Sequence, residues 1–295
     1  MPELPDITVY QESLQRLLGD QSIEAITVRS PFVVRTFDPP IDECVGTQVV
    51  AIRRIGKRIV WELSGKLFIV FHLMIAGRFH WKSKPVLPTR KVDLAAFRFA
   101  HGTLLLTEAS GKKRASIHVH SSKQELDQHD RGGLDVLTTT AGEFGKRLKS
   151  QNRTLKRALT NPAMFDGIGN SYSDEILHAA RLSPLQLTSR LSEKESARLY
   201  IAAQQILTEW THKLREQTGD RFPEKVTAFH PDMAVHGRFG KPCPDCGTKV
   251  QRIVFSEREF NYCPGCQTQG RLLKDRSLSR LLKDDWPKTV EAEQE

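Results

Sequence analysis

Two short stretches hold most of the residues whose types and spacing could do chemistry. The first is MPELPD at the amino terminus. Met1 before Pro2 is a good substrate for removal of the initiator residue, and the chain would then begin with a secondary amine beside Glu3. An α-amine titrates at roughly 7.7–8.0, so part of it is neutral at physiological pH and able to act as a nucleophile. The same prolines also stiffen an end that would otherwise fray, and these six residues alone do not separate the two roles. The second stretch is CPDC followed, after sixteen residues, by CPGC: Cys243, Cys246, Cys263 and Cys266. Two CxxC knuckles at this separation place four thiolates at the ends of a hairpin, which suits a closed, tetrahedral and therefore structural zinc site. A redox CxxC needs an exposed pair near a βαβ unit, and none is read here. The fifth cysteine, Cys44, stands alone.

A third stretch, TLKRALTNPAMFDGIGNSYSDEIL over 154–177, has a different use. Gly167, Ile168, Gly169 and Asn170 precede a helical pattern, and a helix start with exposed amides cradles phosphate. Lys156 and Arg157 supply nearby cations. A lone GxGN is equally a tight helix connection.

The elements that must position these groups follow from periodicity. Ile7, Tyr10, Leu14, Leu17 and Leu18 recur at helical spacing, and Gly19 closes that helix. From about 22 to 120, short β-branched and aromatic runs alternate with turns such as Ser64-Gly65 and His101-Gly102. Such runs predict a sandwich or barrel. Residues 141–218 read as helical, with a capping box at Ser192 and Glu195. Leu199, Ala203, Ile206, Leu207, Trp210 and Leu214 then form one apolar face, read as bundle core. The tail carries Leu278, Leu281 and Leu282 at helical spacing.

Lys and Arg outnumber Asp and Glu by 44 to 35, a net charge of +9. That balance favours a polyanionic partner, nucleic acid before a membrane surface. The longest apolar run, Leu67 to Ala76, carries His72 and is too short to span a bilayer. The expectation is a soluble, cytoplasmic, nucleoid-associated monomer.

MPELP, a strand-rich first half, LKRAL…GIGNSYSDE and CPDC…CPGCQ occur in that order from Pro2 to about Gln267. Together they resemble the formamidopyrimidine-DNA glycosylase and endonuclease VIII family of base-excision repair. The resemblance implies an α+β multidomain chain: an N-terminal β-sandwich with an N-terminal helix, a helix–two-turn–helix domain and a C-terminal zinc-finger hairpin, with damaged double-stranded DNA held between the halves. The divisions expected are 1–131, 132–237, 238–270 and a tail, 271–295. By the same resemblance Pro2 is the nucleophile, Glu3 handles protons at the sugar and leaving base, and Lys57 assists catalysis. His72, Lys156, Asn170 and Arg258 contact DNA, while Glu175 braces the turn. One Zn2+ per chain is expected. The activity implied is excision of oxidised bases through a proline Schiff base, with strand cleavage by β,δ-elimination. The alternative is a DNA-binding protein of the same scaffold that does not excise and recognises abasic or distorted DNA.

The chain also departs from that pattern. Asp6 stands where the family has Glu, and Phe260 where it has Thr. Met74 and Ile75 surround the first wedge position. TEASGKKRAS replaces the family's second wedge loop, with no Phe and with its basic residues displaced to Lys112, Lys113 and Arg114. Residues 215–240 do not resemble the lesion-capping loop. These changes predict strong abasic-site cleavage, some excision of oxidised pyrimidines or formamidopyrimidines, and weak action on 8-oxoguanine opposite cytosine.

Overall fold

The computed structural model describes residues 1–255, 258–274 and 288–290, without the side chains of 255 and 258. The chain forms two compact units, 1–131 with 210–227, and 132–209 with 228–295.

The amino-terminal unit begins with α1 (Leu4–Leu18), which has Pro in its first turn and buries Ile7, Tyr10, Leu14 and Leu18. The fixed φ of proline is suited to that position. Gly19 ends the helix where a Cβ would lie 2.6 Å from Gln15 O. Eight antiparallel strands follow, in two sheets. One contains β1 (Ala25–Val28), β6 (Asp93–Phe99), β7 (Gly102–Glu108) and β5 (Gly77–Lys82), in that order. The other contains β2 (Val49–Ile55), β3 (Arg58–Leu63), β4 (Phe68–His72) and β8 (Ser116–His120). Trp61, Phe71, Phe79 and Phe97 interlock in the core, with Trp61 and Phe71 ring centres 4.7 Å apart and Phe71 and Phe97 5.3 Å apart. Tilted and edge-on aromatic pairs of this kind add stabilisation beyond burial. Phe222 and Val226 pack on the same core.

A short helix, α2 (Lys123–Asp127), is absent from the sequence reading. It buries only Leu126, so it carries almost no periodicity. Ser122 caps it, accepting the Glu125 N–H at 3.2 Å, and Leu126 packs on Val60, Phe68 and Val70.

In the carboxy-terminal unit the stretch read as helical is broken into α3 (Ala141–Lys149), α4 (Leu155–Leu159), α5 (Asn170–Ala179) and α6 (Glu193–Thr218). The reciprocal Ser192–Glu195 box starts α6 as expected. The end of α6, from Trp210, belongs to the amino-terminal unit. A hairpin of β9 (Gln251–Phe255) and β10 (Arg258–Tyr262) precedes α7 (Pro264–Thr268). The expected fold class holds: a β-sandwich with an N-terminal helix, a helix–two-turn–helix segment and a cysteine-bearing hairpin. Leu278, Leu281 and Leu282 lie outside the described residues. Among the described residues no helix is long and apolar enough to cross a membrane.

Candidate active site and metal module

The amino-terminal unit gathers charge at the start of α1. Pro2, Glu3 and Asp6 are buried. Glu3 is the N-cap, and its N–H donates to Asp6 Oδ2 at 2.8 Å while its carboxylate faces the Asp6 N–H in a capping box. A capping box satisfies two helix-start donors that would otherwise lack partners. The position where the family carries Glu is thus used here to fix the helix start. Burial lowers the pKa of the Met1 amine, opposed by Glu3 and Asp6 and assisted by Arg78 and Lys57. Five groups therefore share one electrostatic neighbourhood: the amino terminus, Glu3, Asp6, Lys57 and Arg78. Lys57 occupies the β2–β3 turn beside Gly56, whose φ is +61°. Burial raises Asp6 to about 7, so a buried carboxyl sits half-protonated near neutrality.

Sequence reasoning missed Arg78. Its Nε donates to Val226 O at 2.5 Å and its Nη1 to Ile75 O at 3.1 Å and Gly77 O at 2.6 Å. The one available signal was an arginine at the start of β5, directly after the wedge turn.

His72 ends β4 opposite Arg58. Burial, then Arg58 and Lys57, push it down to about 3, so its ring is neutral and free of charge repulsion with those cations. Beyond it Met74 adopts a left-handed φ of +52° and Ile75 is 61% exposed. A non-glycine residue in that region is strained. The rewritten loop after β7 is cinched by buried Glu108, whose Oε2 accepts the N–H groups of Arg114 at 2.8 Å and Ala115 at 3.0 Å. Lys113 Nζ donates to Glu108 O, which binds one of the displaced basic residues to the loop's own backbone.

In the carboxy-terminal unit Gly167, with φ +74°, and extended Gly169 lead into α5. The Asn170 amide donates to Glu259 O at 2.8 Å, tying the helix start to the hairpin. Lys156 is not at the surface, where a phosphate ligand was expected. It is 1% exposed, and its Nζ donates to Asn170 O at 2.7 Å and to Asp174 Oδ1. Its ammonium also lies 5.2 Å from the Phe260 ring centre. The family's Thr position has become an aromatic wall for that cation. Asp174 Oδ2 accepts from His236 Nδ1 at 2.8 Å and Asn261 N at 3.1 Å. Glu175 accepts the N–H groups of Ala234, Val235 and His236 at 2.7, 2.9 and 2.9 Å. Arg258 pairs with Phe255 at the start of β10, and its side chain lies outside the described residues.

The cysteines lie together. Cys243 Sγ is 3.9 Å from Cys266 Sγ, and Cys246 Sγ is 3.4 Å from Cys263 Sγ. Four sulfurs on a tetrahedral zinc, at Zn–S of about 2.3 Å, stand about 3.8 Å apart, so the donor set fits that ion. Buried His178, on α5, places Nε2 3.3 Å from Cys243 Sγ, and its nitrogen clusters with three of the sulfurs within 4.8 Å. A partner of this kind orients a metal-bound thiolate. Cys44 is buried elsewhere, and burial pushes its thiol up to about 12.

Family models cover most of the chain. Residues 1–115 match the formamidopyrimidine-DNA glycosylase N-terminal domain, 135–218 its H2TH domain, and 240–269 the zinc finger found in FPG and IleRS. With the sulfur geometry, the last match makes the cysteine module the seat of a structural zinc. A formamidopyrimidine-DNA glycosylase of Thermus thermophilus is 30% identical over 276 residues, covering 92% of this chain and 100% of the relative. One of Lactobacillus helveticus is 28% identical over 274 residues, covering 90% and 99%. Among solved structures, the Lactococcus lactis enzyme in complex with a FAPY-dG-containing DNA superposes with a TM-score of 0.80 at 25% identity, covering 90% of this chain and 100% of that one. Taken with the sandwich, the helix–two-turn–helix segment and the cysteine hairpin, these matches establish that the chain belongs to the formamidopyrimidine-DNA glycosylase family of base-excision-repair DNA glycosylases.

Proposed function

We propose that the protein is a bifunctional DNA glycosylase and abasic-site lyase with the amine of Pro2, freed by loss of Met1, as nucleophile. One observation carries this reading: Pro2 and Glu3 are buried at the start of α1 with Asp6, and the Met1 amine one residue before them is held below its ordinary pKa by burial, in the field of Glu3, Arg78, Asp6 and Lys57. Once Met1 is removed, the same burial acts on the Pro2 amine and favours its neutral form, the form that attacks. The lone pair attacks C1′ of the flipped nucleotide, the bond to the base breaks as the base takes up a proton, the amine loses its proton, and opening of the C1′–O4′ bond with protonation of O4′ leaves an iminium. Glu3 exchanges protons with the sugar and leaving base, and Lys57 assists. Strand cleavage follows by β,δ-elimination. His72, Asn170 and Arg258 contact the backbone of damaged double-stranded DNA, whereas Lys156 acts from inside as a brace on Asn170. Residues 1–131 carry the chemistry, 132–237 and 238–270 hold DNA, and 271–295 form a separate tail. Cys243, Cys246, Cys263 and Cys266 hold the zinc. The chain acts as a monomer in the cytoplasm, on the nucleoid.

The loop between Glu108 and Ala115 keeps a second reading in play, because it carries no aromatic wedge. Under that reading the protein binds abasic or distorted DNA without excising a base. Borohydride trapping separates the two. The mature protein should form a covalent adduct with an abasic duplex, Pro2→Gly should trap weakly, and an amino-terminal extension should abolish trapping. Undiminished trapping with the amine blocked refutes the proposed nucleophile. On matched duplexes, abasic sites should react fastest, then oxidised pyrimidines or formamidopyrimidines, with 8-oxoguanine opposite cytosine slowest. Fastest base excision at 8-oxoguanine would overturn that ranking.

A further inference from the structure

We propose that His118, His120 and His129 form a second metal site, in the amino-terminal unit, for one first-row divalent cation of the zinc class. The residues follow the spacing H-x-H-x8-H. His118 and His120 alternate along β8, so both project from the same sheet face, where they pair in register with Val70 and Phe68 of β4. The chain then turns back through α2. Leu126 anchors that turn on Val60, Phe68 and Val70. The His129 N–H donates to Leu126 O at 3.0 Å, and Arg58 Nη1 donates to His129 O at 3.5 Å. The fold thus brings a third imidazole onto the two presented by the strand.

Two of the three ring spacings match a metal triad, and the third is wider, so the His118 ring has to close by about 1 Å toward His120 when an ion binds. Ring centres are 4.8 Å apart for His118 and His129, 5.0 Å for His120 and His129, and 6.1 Å for His118 and His120. Three imidazoles on a tetrahedral ion at Zn–N of about 2.0–2.1 Å have ring centres roughly 5 Å apart. His120 Nε2 and His129 Nε2 already face one another at 2.8 Å, and an ion between them needs them about 3.3 Å apart. His118 Nδ1 is buried without a hydrogen-bond partner among the described residues. Glu125 Oε2 lies 3.8 Å from His120 Nδ1, the side away from the shared centre, where a carboxylate commonly orients a metal-bound histidine. All three residues are partly exposed, so an ion can enter from solvent. Three protein ligands leave a fourth position for water, unlike the closed thiolate module. Arg58 stands close and opposes a cation, so the site should bind more weakly than the four-thiolate one.

The site stands independently of the proposed catalytic chemistry. The test is titration of Co2+ into the zinc-loaded full chain. One further equivalent should bind, with a tetrahedral visible spectrum and no thiolate charge-transfer band, and the bound zinc should stay at one per chain. The double variant His120→Gln, His129→Gln should lose this uptake while keeping its zinc. Should that variant not fold, His129→Gln alone, in the loop after α2, should weaken uptake at least tenfold, about 1.4 kcal/mol. No uptake by the wild type at large excess, a thiolate band showing exchange into the cysteine module, or unchanged uptake by the variants would each overturn the proposal.

Discussion

Asp6 and Asp174 are both buried acids near the starts of helices, Asp6 in the first turn of α1 in one unit and Asp174 in the second turn of α5 in the other, and their surroundings are opposites. Asp174 is saturated: Lys156 donates to one oxygen, and His236 and the backbone of Asn261 donate to the other. The Asp6 carboxyl accepts one hydrogen bond among the described residues, from the Glu3 N–H. Asp6 also rises to about 7 because burial outweighs that bond. A buried acid with a full set of donors holds a fold together, whereas an under-coordinated one beside a buried amine is poised to exchange a proton. The contrast separates a brace from a reaction site without any bound ligand.

Zinc removal tests the brace most severely. Two of its links run to the hairpin backbone, Asn170 to Glu259 O and Asp174 to Asn261 N. Structural zinc binding is worth roughly 10–16 kcal/mol in small modules near pH 7. Chelation should therefore unfold residues 240–274 and expose the amides of α5 to hydrogen exchange, while the strands of the sandwich stay protected. Equal loss of protection in both units would show that the two acids do not report on separate structures.

The next largest effect should come from Asp174→Ala. It takes the Asp174 carboxylate away from the buried Lys156 ammonium, and breaking a buried pair in this way costs about 3–5 kcal/mol. Urea unfolding followed in the carboxy-terminal unit measures it. A loss below about 1 kcal/mol, the scale of an exposed pair, would mean that solvent reaches Lys156.

These two sites were unequally legible in the sequence. Local signals carried α1, the Ser192–Glu195 box and the CxxC pairs, because the residues that decide them lie within a few positions of one another. Lys156 was placed correctly in the chain but assigned to the wrong environment. Its burial depends on Asp174, eighteen residues on, and on Phe260, from a hairpin far along the chain. A lysine in LKRAL reads as solvent-facing until those partners are known. Phe260, read only as a departure from the family pattern, is the wall that makes the burial tolerable. Asp6 was likewise read against the family's longer acid, although Glu3 and Asp6 together spell a capping box three residues apart. Arg78 lacked a signal because strand alternation says which face a side chain takes and nothing about an amino terminus folded beside it. The histidines of β8 passed unread for a related reason: two of them lie on one strand, but the third reaches them only through a helix too short to predict.

The smallest effect expected is also the one of opposite sign. The folded pKa of Asp6, about 7, lies above its ordinary 3.8. Between those values the folded chain binds more protons at this group than the unfolded chain does. Stability contributed by the protonated carboxyl is then complete below about pH 4 and declines as pH rises toward 7. Asp6→Asn keeps an oxygen to accept the Glu3 N–H and removes the ionisation. The variant should match the wild type at pH 4 and exceed it at pH 8 by about 1–4 kcal/mol, the upper figure following from 1.36 kcal/mol per unit. Trapping of abasic DNA should meanwhile lose part of its pH dependence near neutrality, because an acid close to the amine no longer titrates there. Paired urea titrations at pH 4 and pH 8 decide the question. An Asn variant less stable than the wild type at pH 8 would place Asp6 with Asp174 as a second brace, and the amine would then have only Glu3 as its acid.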